Sequence, residues 1–109
     1  MYRFIDKHNL GEPYIYIHPY RQRDVKELVD KAFEGISYII LFGSSVNDTC
    51  KYDSDLDVCV IGDFDEALLK DFRVKGVAMD VLHYKTVDDL KTETYLFNEI
   101  NKNGVKVYG

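Results

Sequence analysis

The spacing of apolar residues predicts three helices. The first runs from Gln22 to Glu34, where apolar residues recur every three or four positions. Gly35 follows this stretch and is expected to end the helix. A short helix is predicted from Asp65 to Phe72, and a last one from Thr86, a good N-cap residue, to Asn103-Gly104. Their predicted buried positions are Val25, Leu28, Val29, Ala32 and Phe33 in the first, Leu68, Leu69 and Phe72 in the second, and Leu90, Phe97 and Ile100 in the last.

Four apolar runs predict the main strands. The run Ile36 to Phe42 is too apolar for a half-exposed strand, so we expect it to be central and covered on both faces. The others are Leu56 to Ile61, Val77 to His83 and Val105 to Tyr108. Alternating strands and helices predict an α/β or α+β sandwich, but the pattern does not give the strand order.

The N-terminal part of the chain is less regular. Met1 to Gly11 has no clear period, whereas Tyr14 to His18 alternates and predicts a short strand before Pro19. We interpret its aromatic face as packed on the domain; an adenine-stacking or dimer surface is the alternative. The 109 residues predict a single domain, with an N-terminal extension over 1–20 and a core over about 22–108.

Composition restricts the class of protein. The chain is 46% hydrophobic and 30% charged, as in ordinary globular domains, and its net charge is −5. This charge argues against stable binding of nucleic acid through a basic surface. No apolar run approaches the ~20 residues that cross a bilayer, and the N-terminus lacks a signal-peptide pattern. We therefore expect a cytoplasmic protein without membrane association, in which Cys50 and Cys59 are reduced thiols.

Candidate chemistry begins where the central apolar run ends. Gly43-Ser44-Ser45 follows Phe42, and ten residues separate Ser44 from Asp55-Leu56-Asp57. Gly43 lets a ligand approach the backbone, and the two serines can cap a short helix over 45–51, whose free N–H groups favour phosphate. Asp55 and Asp57 would point to one side of a strand and suit Mg²⁺.

A third acid strengthens this interpretation. Asp80 interrupts the run Val77 to Leu82, and a carboxylate buried there would be costly unless it shared a metal ion with Asp55 and Asp57. Lys51 is a candidate phosphate contact, with a solvated lysine as the alternative. His83 follows Asp80 on the opposite strand face, and we interpret it as structural or exposed.

Gly-Ser, ten residues and Asp-x-Asp, with a later strand acid, resemble the signature of the polymerase-β-like nucleotidyltransferases, most closely the minimal nucleotidyltransferase (MNT) domains. The resemblance covers roughly Val25 to Tyr108. It implies a mixed sheet with helices mainly on one face. It also implies one or two Mg²⁺ ions on Asp55, Asp57 and Asp80, ATP held by the Gly43-Ser44-Ser45 loop, and transfer of AMP to a hydroxyl.

The resemblance also implies a partner. MNT domains pair with small helical HEPN proteins as antitoxins and transfer AMP to a tyrosine of the toxin. The alternatives are a small-molecule nucleotidyltransferase of the aminoglycoside-modifying kind, completed by a partner or a homo-oligomer, and a non-catalytic module that acts by binding alone. This chain has Val46-Asn47-Asp48 where many members carry arginines and a glycine, so positive charge beside the phosphates is reduced.

Overall fold

The computed structural model describes residues 3–4, 17–46 and 53–109. The predicted strand residues Tyr14 and Tyr16, together with Cys50 and Lys51, lie outside these ranges. Residues 17 and 18 are described and belong to no strand.

Five strands and three α-helices form the described fold. The strands are β1 (Arg3–Phe4), β2 (Ile36–Phe42), β3 (Leu56–Gly62), β4 (Met79–Tyr84) and β5 (Val105–Tyr108). The helices are α1 (Pro19–Asp30), α2 (Val87–Lys91) and α3 (Thr94–Asn103), with 3₁₀ helices at Gly43–Val46 and Glu66–Asp71.

The strands make one mixed sheet in the order β1-β5-β2-β3-β4. The central strand β2 is antiparallel to both β3 and β5, whereas β3 with β4 and β1 with β5 are parallel pairs. The α+β class and the mixed sheet are confirmed. The sequence did not predict β1, because a strand of two residues has no recognisable period.

The helices divide between the two faces of the sheet, which corrects the expectation that they lie mainly on one. On one face α1 and the second 3₁₀ helix pack on a core that includes Ile39 and Leu41 of β2. On the other, α2 and α3 pack on a smaller core that includes Ile40. Alternate residues of β2 are therefore buried on opposite faces, as predicted for a central strand. A sheet with apolar side chains on both faces requires helices packed on each face to bury them.

α1 begins three residues before its predicted start and ends four residues before its predicted end. His18 is the N-cap, because its Nδ1 accepts a hydrogen bond from the Tyr20 N–H at 3.2 Å, and Pro19 takes the first helical position. At the other end the Lys31 N–H bonds to the Leu28 carbonyl at 3.0 Å, which tightens the last turn. Gly35, with φ +105°, belongs to the turn into β2 and does not end the helix.

The predicted last helix is two helices. Thr86 caps α2 as expected, since its Oγ1 accepts from the Asp89 N–H at 3.1 Å. The Thr92 hydroxyl then donates to the Asp89 carbonyl at 2.6 Å, and the chain turns before α3 begins at Thr94. Leu90 and Ile100 are buried as predicted. No helix in the described ranges is long and apolar enough to cross a membrane.

The predicted helix from Asp65 to Phe72 is a 3₁₀ helix capped by the Asp65 carboxylate. Leu69 and Phe72 are buried as expected, but Leu68 is 53% exposed. With three residues per turn, neighbouring leucines cannot both face the core.

Candidate active site

The sequence-predicted acids lie where β3 and β4 begin. β2 ends where its antiparallel neighbour β3 begins, and the parallel strand β4 begins beside β3. In this register Phe42 is opposite Asp57, and Asp57 is opposite Asp80. Asp55 lies just before β3 and is exposed.

The two strand acids lie on the face that α2 and α3 cover. Side chains alternate along β3, and Cys59, two residues after Asp57, packs in the core under α2 and α3. Asp80 is beside Asp57 in a parallel pair, so it shares that face. Asp57 is partly buried and Asp80 is exposed. We call Asp55, Asp57 and Asp80 the acidic row.

The exposure of Asp80 corrects the argument that burial makes it functional. β4 is an edge strand of the described sheet and is only partly covered, so an apolar sequence around Asp80 does not bury its carboxylate. The pairing of Asp80 with Asp57 is what connects it to the site.

The acidic row is electrostatically strained. The pKa of Asp57 is raised above its ordinary value, first by burial and then by the negative charges of Asp80 and Asp55. The Asp57 carboxylate is thus repelled by its two acidic neighbours, and a divalent cation would relieve this. Their hard oxygen ligands fit Mg²⁺. In the described ranges no three acidic, histidine or cysteine side chains form a ready-made metal cage.

Gly43 is fitted to Asp57. Its φ is +71°, and a Cβ added there would lie 2.3 Å from Asp57 Oδ2. The backbone of the turn therefore lies against the central carboxylate of the acidic row. The absence of a side chain at Gly43 primarily makes room for the Asp57 carboxylate, and space for a ligand is a secondary effect.

The two serines differ from their predicted role as N-caps, because both lie inside the 3₁₀ helix Gly43–Val46. Ser44 is partly exposed, whereas Ser45 is fully buried and its Oγ has no hydrogen-bond partner in the described part of the chain. The Ser45 carbonyl accepts from the His18 N–H at 2.8 Å, which ties the turn to the start of α1. Lys51, the remaining candidate, lies outside the described residues.

Sequence reasoning missed Arg21. Its side chain is buried, donating from Nη1 to Asp24 Oδ2 at 3.1 Å and from Nη2 to the Ser54 carbonyl. Nothing in the helical pattern distinguishes it from the exposed Arg23. It lines a cavity of about 500 Å³, whose other described lining residues are Tyr20, Asp24, Asp53, Ser54, Gly76, Val77 and Ala78.

Two further candidates are structural. The His83 ring stacks on Phe64 with centroids 4.2 Å apart, and its Nε2 lies 2.8 Å from the Gly62 carbonyl, which confirms the structural interpretation. Burial raises the pKa of Cys59 to about 12, so this thiol stays protonated and is not a nucleophile.

A comparison with protein families agrees with this geometry. The family model for the central palm domain of mitochondrial-like poly(A) RNA polymerases matches residues 18–107. The chain belongs to this family. No curated protein and no solved structure matches it. The palm family is a relative of the polymerase-β-like nucleotidyltransferases, so membership confirms the broad resemblance and a general capacity of the family for nucleotidyl transfer.

Proposed function

We propose that this palm domain is a Mg²⁺-dependent nucleotidyltransferase that moves AMP from ATP to a hydroxyl group. The observation that carries the proposal is the pair Asp57 and Asp80 of the acidic row, which the register of β2, β3 and β4 places beside the Gly43 turn, with Asp55 just before β3. Asp55, Asp57 and Asp80 would hold one or two Mg²⁺ ions together with phosphate oxygens.

Each residue of the site then has a distinct task. Bound Mg²⁺ would neutralise charge that develops on the phosphates. Asp57, held against Gly43, supplies a fixed central carboxylate, and Asp80 supplies a neighbouring one that is open to solvent. Ser44 and the backbone of the turn lie where they could contact phosphate. We assign the backbone of Ser45, whose side chain is buried, and Lys51 to the same subsite. The acceptor hydroxyl attacks the α-phosphorus, its proton passes to a carboxylate of the row, and pyrophosphate leaves.

We further propose that the acceptor is a tyrosine of a separate, basic protein of the HEPN type. The net charge of −5 supports a basic protein partner and opposes RNA as a tightly bound acceptor. A second candidate, the 3′-hydroxyl of RNA, is favoured by the name of the palm family. A small-molecule hydroxyl, with a homo-oligomer or partner completing the pocket, is a third candidate. Neutralisation of a partner by binding alone would require no acceptor.

Intact mass spectrometry and gel analysis separate these acceptors. The protein is incubated with ATP and Mg²⁺, together with a candidate HEPN-type protein or with an oligo(A) RNA. The expected result is one added AMP on the protein, located at a tyrosine, and no extension of the RNA. RNA that lengthens by single nucleotides would instead establish the second candidate.

Asp55→Asn and Asp57→Asn are the matched controls, because each removes one charge from the acidic row at nearly constant volume. Both are expected to lower transfer at least about a hundredfold, in line with the loss of electrostatic stabilisation of a transition state. A HEPN-type protein that is neutralised without gaining mass, equally by wild type and by Asp55→Asn, would overturn the enzymatic proposal in favour of binding alone.

A further inference from the structure

Arg21 is a buried cation that joins two separate parts of the fold. The residue is 6% exposed although it lies in the first turn of α1. Its guanidinium donates to the Asp24 carboxylate on the same helix and to the Ser54 carbonyl on the loop before β3. Burying a guanidinium is costly unless its donors find acceptors, so these contacts hold the helix and the loop in one arrangement.

The position of the second contact connects Arg21 with the acidic row. Ser54 directly precedes Asp55, which is exposed and lies outside the hydrogen-bonded part of β3. The sheet register fixes Asp57 and Asp80 but does not fix Asp55 in the same way. A bond from Arg21 to the adjacent carbonyl restrains the backbone that carries the Asp55 carboxylate.

We propose that Arg21 is a positioning residue that holds Asp55 in the acidic row through Ser54. The proposal rests on the proposed function, since Asp55 is taken to be a metal ligand. Asp24 has a supporting part, because its ion pair with Arg21 at 3.1 Å orients the guanidinium. Residues that orient a metal ligand typically change metal affinity about 10- to 100-fold when they are replaced.

The sign of the effect distinguishes positioning from electrostatics. Arg21 is positive, so removing it would strengthen cation binding at the nearby carboxylates if charge alone mattered. Loss of positioning would weaken binding. Arg23 lies on the same helix and is exposed, so Arg23→Met makes the same charge change without disturbing the contact to Ser54.

Two measurements test the proposal. Hydrogen exchange measures how firmly the backbone over 53–57 is held, independently of any activity. Water-proton relaxation measures the affinity of the protein for Mn²⁺ alone, as a probe for the metal. Arg21→Met is expected to speed exchange in this segment and to weaken Mn²⁺ binding about tenfold or more. Arg23→Met is expected to leave exchange unchanged and Mn²⁺ binding unchanged or slightly tighter.

Conservative variants guard against simple unfolding. Arg21→Lys retains the charge but cannot bond to Asp24 and Ser54 in the same fork geometry, and Asp24→Asn weakens the support of the guanidinium. If Arg21→Met fails to fold, these two variants carry the test, with smaller effects expected in the same direction. Circular dichroism melting checks that each compared variant is folded.

The outcomes separate this proposal from the proposed function. Mn²⁺ binding that is unchanged or tighter in folded Arg21→Met, with unchanged exchange over 53–57, overturns the positioning role while leaving the metal site intact. If the wild type itself binds no Mn²⁺, the proposed function fails, and hydrogen exchange alone tests whether Arg21 restrains the backbone over 53–57. Faster exchange confined to 53–57 then supports the positioning role in the fold, and unchanged exchange overturns it.

Discussion

Asp57 lowers the stability of the fold when no cation is present. Its raised pKa means that ionisation costs more in the folded state than in the unfolded chain. Below the ordinary Asp pKa of 3.8 the residue is neutral in both states, so, as far as Asp57 is concerned, the fold has its full stability there. As the pH rises through the raised folded-state pKa, ionisation of Asp57 lowers the free energy of unfolding.

Asp57→Asn is therefore expected to raise the melting temperature in metal-free buffer. The difference from wild type should be small near pH 4 and larger near pH 7, because only the wild-type carboxylate ionises over about this range. Mg²⁺ should stabilise the wild type, by about 2.7 kcal/mol at 100 times its Kd, and have much less effect on the variant. Melting curves at several pH values, each with and without Mg²⁺, check both statements. A variant that melts below wild type at pH 7 would contradict the strain on the acidic row.

Gly43→Ala and Gly76→Ala form a matched pair for the turn beside Asp57. Both glycines have positive φ, at +71° and +82°, so each alanine should cost about 1–2 kcal/mol in backbone strain. A Cβ at Gly43 also meets Asp57 Oδ2, whereas one at Gly76 meets nothing within 4 Å in the described part of the chain. Gly43→Ala should thus be the more destabilising and should weaken Mn²⁺ binding, while Gly76→Ala should leave it intact. Denaturant unfolding and Mn²⁺ titration measure the two effects, and equal behaviour of the two variants would remove the role assigned to Gly43.

At the scale of single residues, the positions of Asp55, Asp57 and Asp80 relative to the strands could be predicted, but the exposure of Asp80 could not. The spacing of Asp55 and Asp57 and the strand position of Asp80 follow from local pattern. The exposure of Asp80 depends on β4 being an edge strand, which local pattern does not determine. Arg21 could not be predicted, because its partner carbonyl at Ser54 is distant in sequence.

Among the elements, the strands were predicted more accurately than the helices. β2 and β5 have the predicted limits, since continuous apolar runs with polar ends define buried strands closely. Helix ends depend on caps that apolar periodicity does not show, such as the His18 ring at the start of α1. The break between α2 and α3 likewise depends on a hydrogen bond from the Thr92 side chain.

The second 3₁₀ helix offers a test at the scale of elements. Leu69→Ala should destabilise the protein by about 2–3 kcal/mol, because Leu69 is 8% exposed and its removal leaves a cavity in the core under α1. Leu68→Ala is the control, and its effect should stay within about 0.5 kcal/mol, since Leu68 is largely exposed. Urea unfolding of both variants measures the difference. Equal losses would contradict the exposed position of Leu68.

For the whole molecule, the sequence indicated the α+β class and a covered central strand, and the structure confirms both. The placement of the helices was wrong because it came from the resemblance rather than from the apolar surface of the sheet. β2 and β3 each carry buried residues on both faces, so helices are required on both. The pairing of β1 with β5 depends on the completed sheet and has no local signal.

The order of strands in the sheet has a consequence for folding kinetics. β2 pairs with β3, and β3 with β4, across modest stretches of chain, whereas β2 meets β5 only by closing a loop that contains most of the described core. Closing a longer loop costs more chain entropy, so local pairings precede distant ones. The register that joins Phe42, Asp57 and Asp80 belongs to the local pairings. We therefore expect Asp57 and Asp80 to be paired early in folding, before β5 completes the sheet.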